Sequence, residues 1–230
     1  MSSQANLNLY YDSDAVRRGV AENRHRELVG GLWDEIGKLQ FDFLRANGLT
    51  PQSKLIDIGC GCLRGGVFFV NYLDPGNYFG MDISDELLTA GYEIELRQRG
   101  LLHKLPRANL VADGAFQFGE FPVTFDFGLA VSLFTHLPAG HIRQCLAQLA
   151  PKMAAGGTLF ATFFLVSADH SGGPVDHPDG IQSFDNRDPY HFRPGQMEDL
   201  CAGLPWRPQV IGDWRHPRDQ RMVCFRRSAG

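Results

Sequence analysis

Asp57-Ile58-Gly59-Cys60-Gly61 sets two glycines directly after an apolar run and just ahead of a helical pattern. Glycine lets a backbone turn sharply and lets a ligand come close to it. Two more acids, Asp82 in YFGMDIS and Asp113 in VADGAF, each close a short apolar run, and Asp82 follows Gly59 by 23 residues. A carboxylate at such a strand end can accept both hydroxyls of a ribose. A third group carries histidine: His136 in AVSLFTHLP, and His170, His177 and His191 in the polar stretch 167–193 beside Asp176, Asp179, Asp185, Asp188 and Tyr190. Imidazole is the side chain best suited to take a proton near neutral pH. Histidine and carboxylate together can also hold a metal.

Positioning these residues takes regular elements, and the sequence predicts them. Residues 13–48 read as helix, with Ser13 or Asp14 as the cap and a split at Gly30-Gly31. Leu28, Leu32, Ile36, Leu39 and Phe43 make one apolar stripe at helical spacing. Thr50-Pro51 breaks the pattern. From Ser53 short apolar runs alternate with helical segments. SKLIDIG, NYFGMDI, NLVADG, TFDFGLAVS and GGTLFATFFLV read as strands, and 64–73, SDELLTAGYEIELRQRG and HIRQCLAQLAPKM as helices. Ser84 caps the second of these helices, with acids in its first turn. Alternation of this kind implies a parallel sheet covered on both faces. Residues 167–193 read as a long loop with little apolar pattern, 195–203 as a helix, and WRPQVIGDW with QRMVCFRR as a closing antiparallel pair at the sheet edge.

Two nucleotide folds compete for the glycine turn. A dinucleotide fingerprint, G-x-G-x-x-G, needs glycine at position 64, which is Arg64. LIDIGCGCLRGG instead resembles the first motif of class I S-adenosylmethionine-dependent methyltransferases, in which an acid precedes G-x-G by two residues. The resemblance continues through Asp82, Asp113 and LAQLAPKMAAGGTLFATFF, and covers roughly residues 53–166. It departs at Leu63, where many members carry a third glycine; the offset Gly65-Gly66 is a possible substitute for close approach.

The resemblance implies an α/β, Rossmann-like domain over 51–230 behind an N-terminal helical extension over 1–50. It implies S-adenosylmethionine as the cofactor. The residues at its motif positions are Asp57, Gly59, Cys60, Gly61, Asp82, Ile83, Asp113, Gly114, Ala115, Val131 and Ser132, with Phe134 beside them. Asp82 would take the ribose and Asp113 the adenine amino group. The N-terminal segment, including Tyr10-Tyr11 and Arg17 to Arg26, would either close over the cofactor or pack on the sheet edge.

Methyl transfer needs an acceptor held in line, water excluded, and a base only where the nucleophile must lose a proton. His136, His191 and His177 are the candidate bases; each has a bland alternative as a loop-shaping hydrogen-bond partner. The expected acceptor is a small molecule, a hydroxyl on a sugar or natural product. The polar 167–193 segment would recognise it as a lid that is mobile until cofactor and acceptor bind. Two other readings stay open: a nicotinamide-dependent oxidoreductase, and a non-catalytic module that binds S-adenosylmethionine and regulates a partner.

The composition sets outer bounds. The 230 residues carry a net charge of −4, with 43% hydrophobic and 21% charged residues, the make-up of a globular chain. Weak acidity argues against a nucleic-acid binder that relies on a basic face, as does the absence of N-P-P-Y, D-P-P-Y and Pro-Cys stretches. The arginines Arg207, Arg215, Arg218, Arg221, Arg226 and Arg227 read as a solvated strand pair. The longest apolar run, 158–166, is far short of the ~20 residues of a spanning helix, and no leader is evident. Cys60, Cys62, Cys145, Cys201 and Cys224 show no C-x-x-C pair and read as reduced thiols of a cytoplasmic protein. No resident metal is expected, because Ser132 and Leu133 stand where metal-dependent methyltransferases carry an acid.

Overall fold

The computed structural model describes residues 12–228; Tyr10-Tyr11 lie outside the described residues. The chain forms two units, Met1–Gly114 and Ala115–Gly230.

In the first unit, three helices precede the strands: α1 (Ser13–Ala21), α2 (His25–Leu28) and α3 (Trp33–Ala46). Asp12 caps α1, its carboxylate accepting the Ala15 N–H at 3.0 Å. Gly30 and Gly31, at φ 87° and 62°, break the chain ahead of α3 where the doublet suggested a split. The buried face of α3 is Trp33, Ile36, Gly37, Gln40 and Leu44, turned from the anticipated stripe, of which Leu39 and Phe43 stay half-exposed. The reason is close packing. A Cβ on Gly37 would lie 2.5 Å from the Arg64 carbonyl oxygen, so small and polar positions form the seam.

Strands β1 (Leu55–Ile58), β2 (Tyr78–Asp82) and β3 (Leu110–Ala112) run parallel, with β2 between the other two. Parallel neighbours need long crossovers. The helices α4 (Gly66–Tyr72) and α5 (Asp85–Ala90) supply them, and α5 continues into a π-helical turn, Gly91–Leu96. Ser84 caps α5 by accepting the Leu87 N–H at 3.2 Å, as its position predicts.

In the second unit, β4 (Phe125–Ala130) runs parallel to β5 (Met153–Leu165), and α6 (Ala139–Leu149) connects them. The strands β9 (Trp206–Gly212) and β10 (Arg221–Arg227) form the antiparallel pair, with β10 antiparallel to β5 and β9 outermost. α7 (Gln196–Cys201) precedes them, and Arg143 of α6 donates to the Asp199, Leu200 and Ala202 carbonyls at its C-terminal end. The architecture is α/β, mostly parallel, with an antiparallel C-terminal pair.

The 167–193 segment is more ordered than a loop without apolar pattern suggests. It contains a hairpin, β6 (Val175–Asp176) on β7 (Gln182–Ser183), and β8 (His191–Phe192) pairs with the end of β5 at Phe164 and Leu165. It is anchored by isolated contacts that no periodicity registers. Phe192 meets Phe163 edge-on at 5.5 Å, and the His177 ring stacks on Phe164 at 4.1 Å. Among the described residues no helix is long and apolar enough to cross a membrane.

Candidate functional site

In the first unit the three motif acids and the glycines come from the carboxyl ends of β1, β2 and β3, where open α/β sheets bind ligands. Gly59 and Gly61 have φ values of 72° and 54°, and the Gly59 and Cys60 N–H groups both donate to the Met81 carbonyl. Asp82 organises this turn. Its Oδ2 accepts the Gly61 N–H at 2.7 Å and its Oδ1 the Ser84 N–H at 3.0 Å. Burial pushes this carboxyl above its ordinary range, and the backbone donors pull it back in part. A carboxylate has about four lone-pair sites, so the pair of oxygens retains capacity for a ligand hydroxyl. Ile83, next in sequence, is one of few exposed large apolar side chains. A Cβ on Gly114 would sit 3.0 Å from it, so Gly114 leaves Ile83 its place beside the half-buried Asp113. A hydroxyl acceptor, an exposed apolar surface and a glycine clearance at neighbouring strand ends fit a nucleoside.

Other motif positions make contacts within the scaffold. Asp57 is buried and accepts the Tyr78 hydroxyl at 2.8 Å; burial raises its carboxyl to about 7. Cys60 and Cys62 are buried free thiols, and burial pushes Cys62 up to about 12. Leu63 has φ 66°, the left-handed conformation that glycine adopts without cost. The third glycine of the motif it resembles therefore has a conformational counterpart here in a fully buried leucine, packed where Gly66 and Gly91 lack side chains. Gly65-Gly66 do not supply close approach to a ligand. A Cβ on Gly65 would collide with the Gln40 amide, and one on Gly66 with the Tyr78 hydroxyl at 2.7 Å, so both serve packing.

The N-terminal segment lies on the glycine turn itself. A Cβ on Gly61 would meet Val29 at 2.7 Å, the Cys62 thiol donates to the His25 carbonyl at 3.3 Å, and Arg64 donates to the Val29 and Gly31 carbonyls. Glu95, fully buried in the π-helical turn, fastens this segment. It pairs with His25 at 2.8 Å, with Arg26 at 2.7 and 2.9 Å, and with Arg99 at 2.6 Å. Burial alone would raise its carboxyl, yet the bonds from Arg26, His25 and Arg99 hold it down at about 2. Sequence reasoning missed this node. The signal was available, since Leu87, Leu88, Gly91 and Glu95 share the buried stripe of their helix.

In the second unit, Ser132 follows β4 at φ 56°; its N–H donates to Thr162 Oγ1 and its hydroxyl bonds Gln220 at 3.0 Å. Val131 is buried, and Phe134 is fully buried edge-on to Phe163, which makes it core rather than the ligand-lining residue the motif suggested. Ala115 accepts from Gln144 through its carbonyl.

The three candidate bases separate into two environments. His177 Nε2 and His191 Nδ1 bond the same buried Ser183 hydroxyl, at 2.7 and 3.1 Å. Burial lowers both histidines, so they are neutral at pH 7 and bridge the hairpin to β8. His136 stands in the turn after β4 and pairs through Nδ1 with Asp188 Oδ1 at 2.6 Å, both partly open to solvent. A cavity of about 260 Å³ opens in this unit, lined by Pro138, Asp185, Tyr190, His191, Arg193 and Gln196 among others. Among the described residues no group of three His, Cys, Asp or Glu side chains is placed to hold a metal.

No protein-family model matches this chain. Solved structures do. The magnesium protoporphyrin IX methyltransferase of Synechocystis PCC 6803, determined with S-adenosylmethionine bound, superposes at a TM-score of 0.63 and 14% identity, covering 99% of this chain and all of that one. A putative O-methyltransferase from Nostoc punctiforme PCC 73102 gives 0.64 at 16% identity, over 99% of this chain and 64% of that one. An amino pentose methyltransferase of calicheamicin biosynthesis from Micromonospora echinaspora gives 0.59 at 17% identity, over 91% and 96%. The chain has the Rossmann-like fold of these methyltransferases.

Proposed function

We infer that this protein is an S-adenosylmethionine-dependent methyltransferase acting on the hydroxyl of a small molecule such as a sugar or natural product. The observation that carries the reading is Asp82, a buried carboxylate at the end of β2 with both oxygens aligned by the Gly61 and Ser84 N–H groups. In this role Asp82 accepts the ribose hydroxyls, Ile83 covers the adenine and Asp113 meets its amino group. The bound cofactor supplies an electrophilic methyl on a sulfonium. The chain's own residues bind, orient and exclude water.

His136 takes the proton that a hydroxyl acceptor must lose. The cavity beside Tyr190 and Arg193, smaller than the ~300–1,000 Å³ typical of drug-sized ligands, suits a small polar acceptor. The nicotinamide alternative is weakened at the position where its fingerprint requires glycine. Arg64 stands there, its guanidinium spent on the Val29 and Gly31 carbonyls. The test is transfer of labelled methyl from S-adenosylmethionine to a panel of methyl glycosides, phenols and hydroxy acids, with NAD binding as the control. Incorporation into a hydroxyl supports the reading; NAD bound more tightly than S-adenosylmethionine would contradict it.

A further inference from the structure

We propose that the cavity beside β8 is a carboxylate site, so that the methyl acceptor is a small hydroxy acid held through Arg193. This rests on the methyltransferase reading above and adds to it the charge of the acceptor. The cavity, of about 260 Å³, is lined by Asp185, Tyr190, His191, Arg193 and Gln196 among others, all in the second unit.

Arg193 supplies the charge. A guanidinium offers a side edge, made of Nε and one Nη, and an end edge, made of the two Nη groups. The His170 carbonyl takes the side edge of Arg193, accepting from Nε at 3.2 Å and from Nη2 at 2.6 Å. That contact holds the group in place and leaves the end edge for the two oxygens of a carboxylate. Arg193 is half-buried, and among the described residues no carboxylate pairs with it. A partly desolvated cation in this state favours an anionic ligand. Arg143 is the contrast, since both of its Nη groups are divided among the Asp199, Leu200 and Ala202 carbonyls.

The neighbouring side chains add donors. Gln196 Oε1 accepts the Arg193 N–H at 2.8 Å, which fixes the orientation of the amide and leaves its NH2 group to donate. The Tyr190 N–H is tied to the Thr135 carbonyl at 2.7 Å. Burial and the nearby Asp188 push the Tyr190 phenol up, so it stays protonated and can donate. His191 is 5% exposed; its Nδ1 bonds the Ser183 hydroxyl and its Nε2 has no partner among the described residues. A buried polar atom left in this way costs free energy that a ligand oxygen or hydroxyl would recover.

Asp185 narrows the ligand further. It stands on the same wall, exposed and without an ion pair among the described residues. One guanidinium neutralises one carboxylate, whereas a phosphate dianion would bring a second charge towards Asp185. The same Asp185 can accept from hydroxyls elsewhere on the ligand. A cavity of this size admits a short chain or a single ring, such as a hydroxy acid or a sugar acid.

Ligand-observed NMR titration of the full chain tests this with lactate, glucuronate and 4-hydroxybenzoate, each against its methyl ester, and with glucose 6-phosphate. The expected result is that at least one acid binds about tenfold or more tightly than its ester, the scale of a hydrogen-bonded charge. The preference should vanish in Arg193→Gln. It should also shrink in Gln196→Glu, which leaves the Arg193–His170 contact in place and sets a carboxylate beside the guanidinium. Thermal melts confirm that each variant is folded, and if Arg193→Gln is not, Gln196→Glu decides. No acid preferred over its ester, a preference unchanged in the folded variants, or glucose 6-phosphate bound more tightly than glucuronate would overturn the proposal. Calorimetric titration with S-adenosylmethionine separates the two levels. Cofactor binding without a preference for acids sinks the carboxylate site alone, whereas an Arg193-dependent preference in a protein that does not bind the cofactor sinks the methyltransferase reading.

Discussion

Asp57 and Leu63 show how single residues of the glycine turn are used. A carboxyl raised by burial makes the folded state bind its proton more tightly than the unfolded chain does. The stability that the protonated form gives is present at low pH and lost as pH rises through the folded value. For Asp57 that loss runs from about pH 4 to about pH 7. Asp57→Asn keeps an acceptor for the Tyr78 hydroxyl and removes the titration. Denaturant melts across this window should therefore show a decline in the wild type that the variant lacks; parallel curves would place the charge elsewhere. Leu63 pays for its left-handed backbone, a cost of roughly 1–2 kcal/mol for an L-residue, with a fully buried side chain. Leu63→Ala keeps the strain and loses the packing, at about 2–5 kcal/mol. Leu63→Gly also loses the Cβ but relieves the strain, so it should be the more stable of the two by about 1 kcal/mol. The reverse order in urea would show that the backbone carries no strain.

At the scale of elements, the N-terminal helices depend on one carboxylate. Glu95 holds His25 and Arg26 against the helix that follows β2, and removing one partner of a buried ion pair typically costs about 3–5 kcal/mol. Glu95→Gln should lower stability by less than that, because Arg26 and Arg99 stay partly exposed to solvent. Because its folded value is depressed to about 2, the stabilisation is present above the unfolded carboxylate range and is lost as pH falls from about 4.5 to about 2. The acid arm of the wild-type profile should be shallower in the variant.

The 167–193 segment divides in the same physical terms. The amides of Phe184, Tyr190 and His191 donate to backbone carbonyls, while Gly172 and Gly173 sit in a bend that is half-buried to exposed. Hydrogen exchange of the ligand-free protein should protect the 184–192 portion more than 171–174. Uniform fast exchange would restore a wholly mobile lid.

These elements also show what the sequence makes legible. Strands β1 to β5 and the closing pair announce themselves through apolar runs, and Ser84 through its acids, because local pattern determines them. The partners of Glu95 and of His136 lie 69 or more and 52 positions away, except Arg99, and the Ser183 bridge falls in a segment without periodicity, so local pattern names none of these pairings. Phe134 misled for a related reason: a motif position beside a binding loop was filled by a core aromatic.

At the scale of the whole molecule, the fold is shared by the magnesium protoporphyrin IX and the amino pentose methyltransferases, 14% and 17% identical to this chain and different in acceptor, so function follows from the residues more than from the fold. We propose that the first unit binds S-adenosylmethionine through Asp82. Calorimetric titration of the wild type and Asp82→Ala, with thermal melts to confirm that both are folded, tests it directly. The account predicts saturable wild-type binding weakened by roughly 1.5–3 kcal/mol in the variant, the scale of hydrogen bonds to a charged group. Equal affinity for the two proteins, or no wild-type binding, would contradict it.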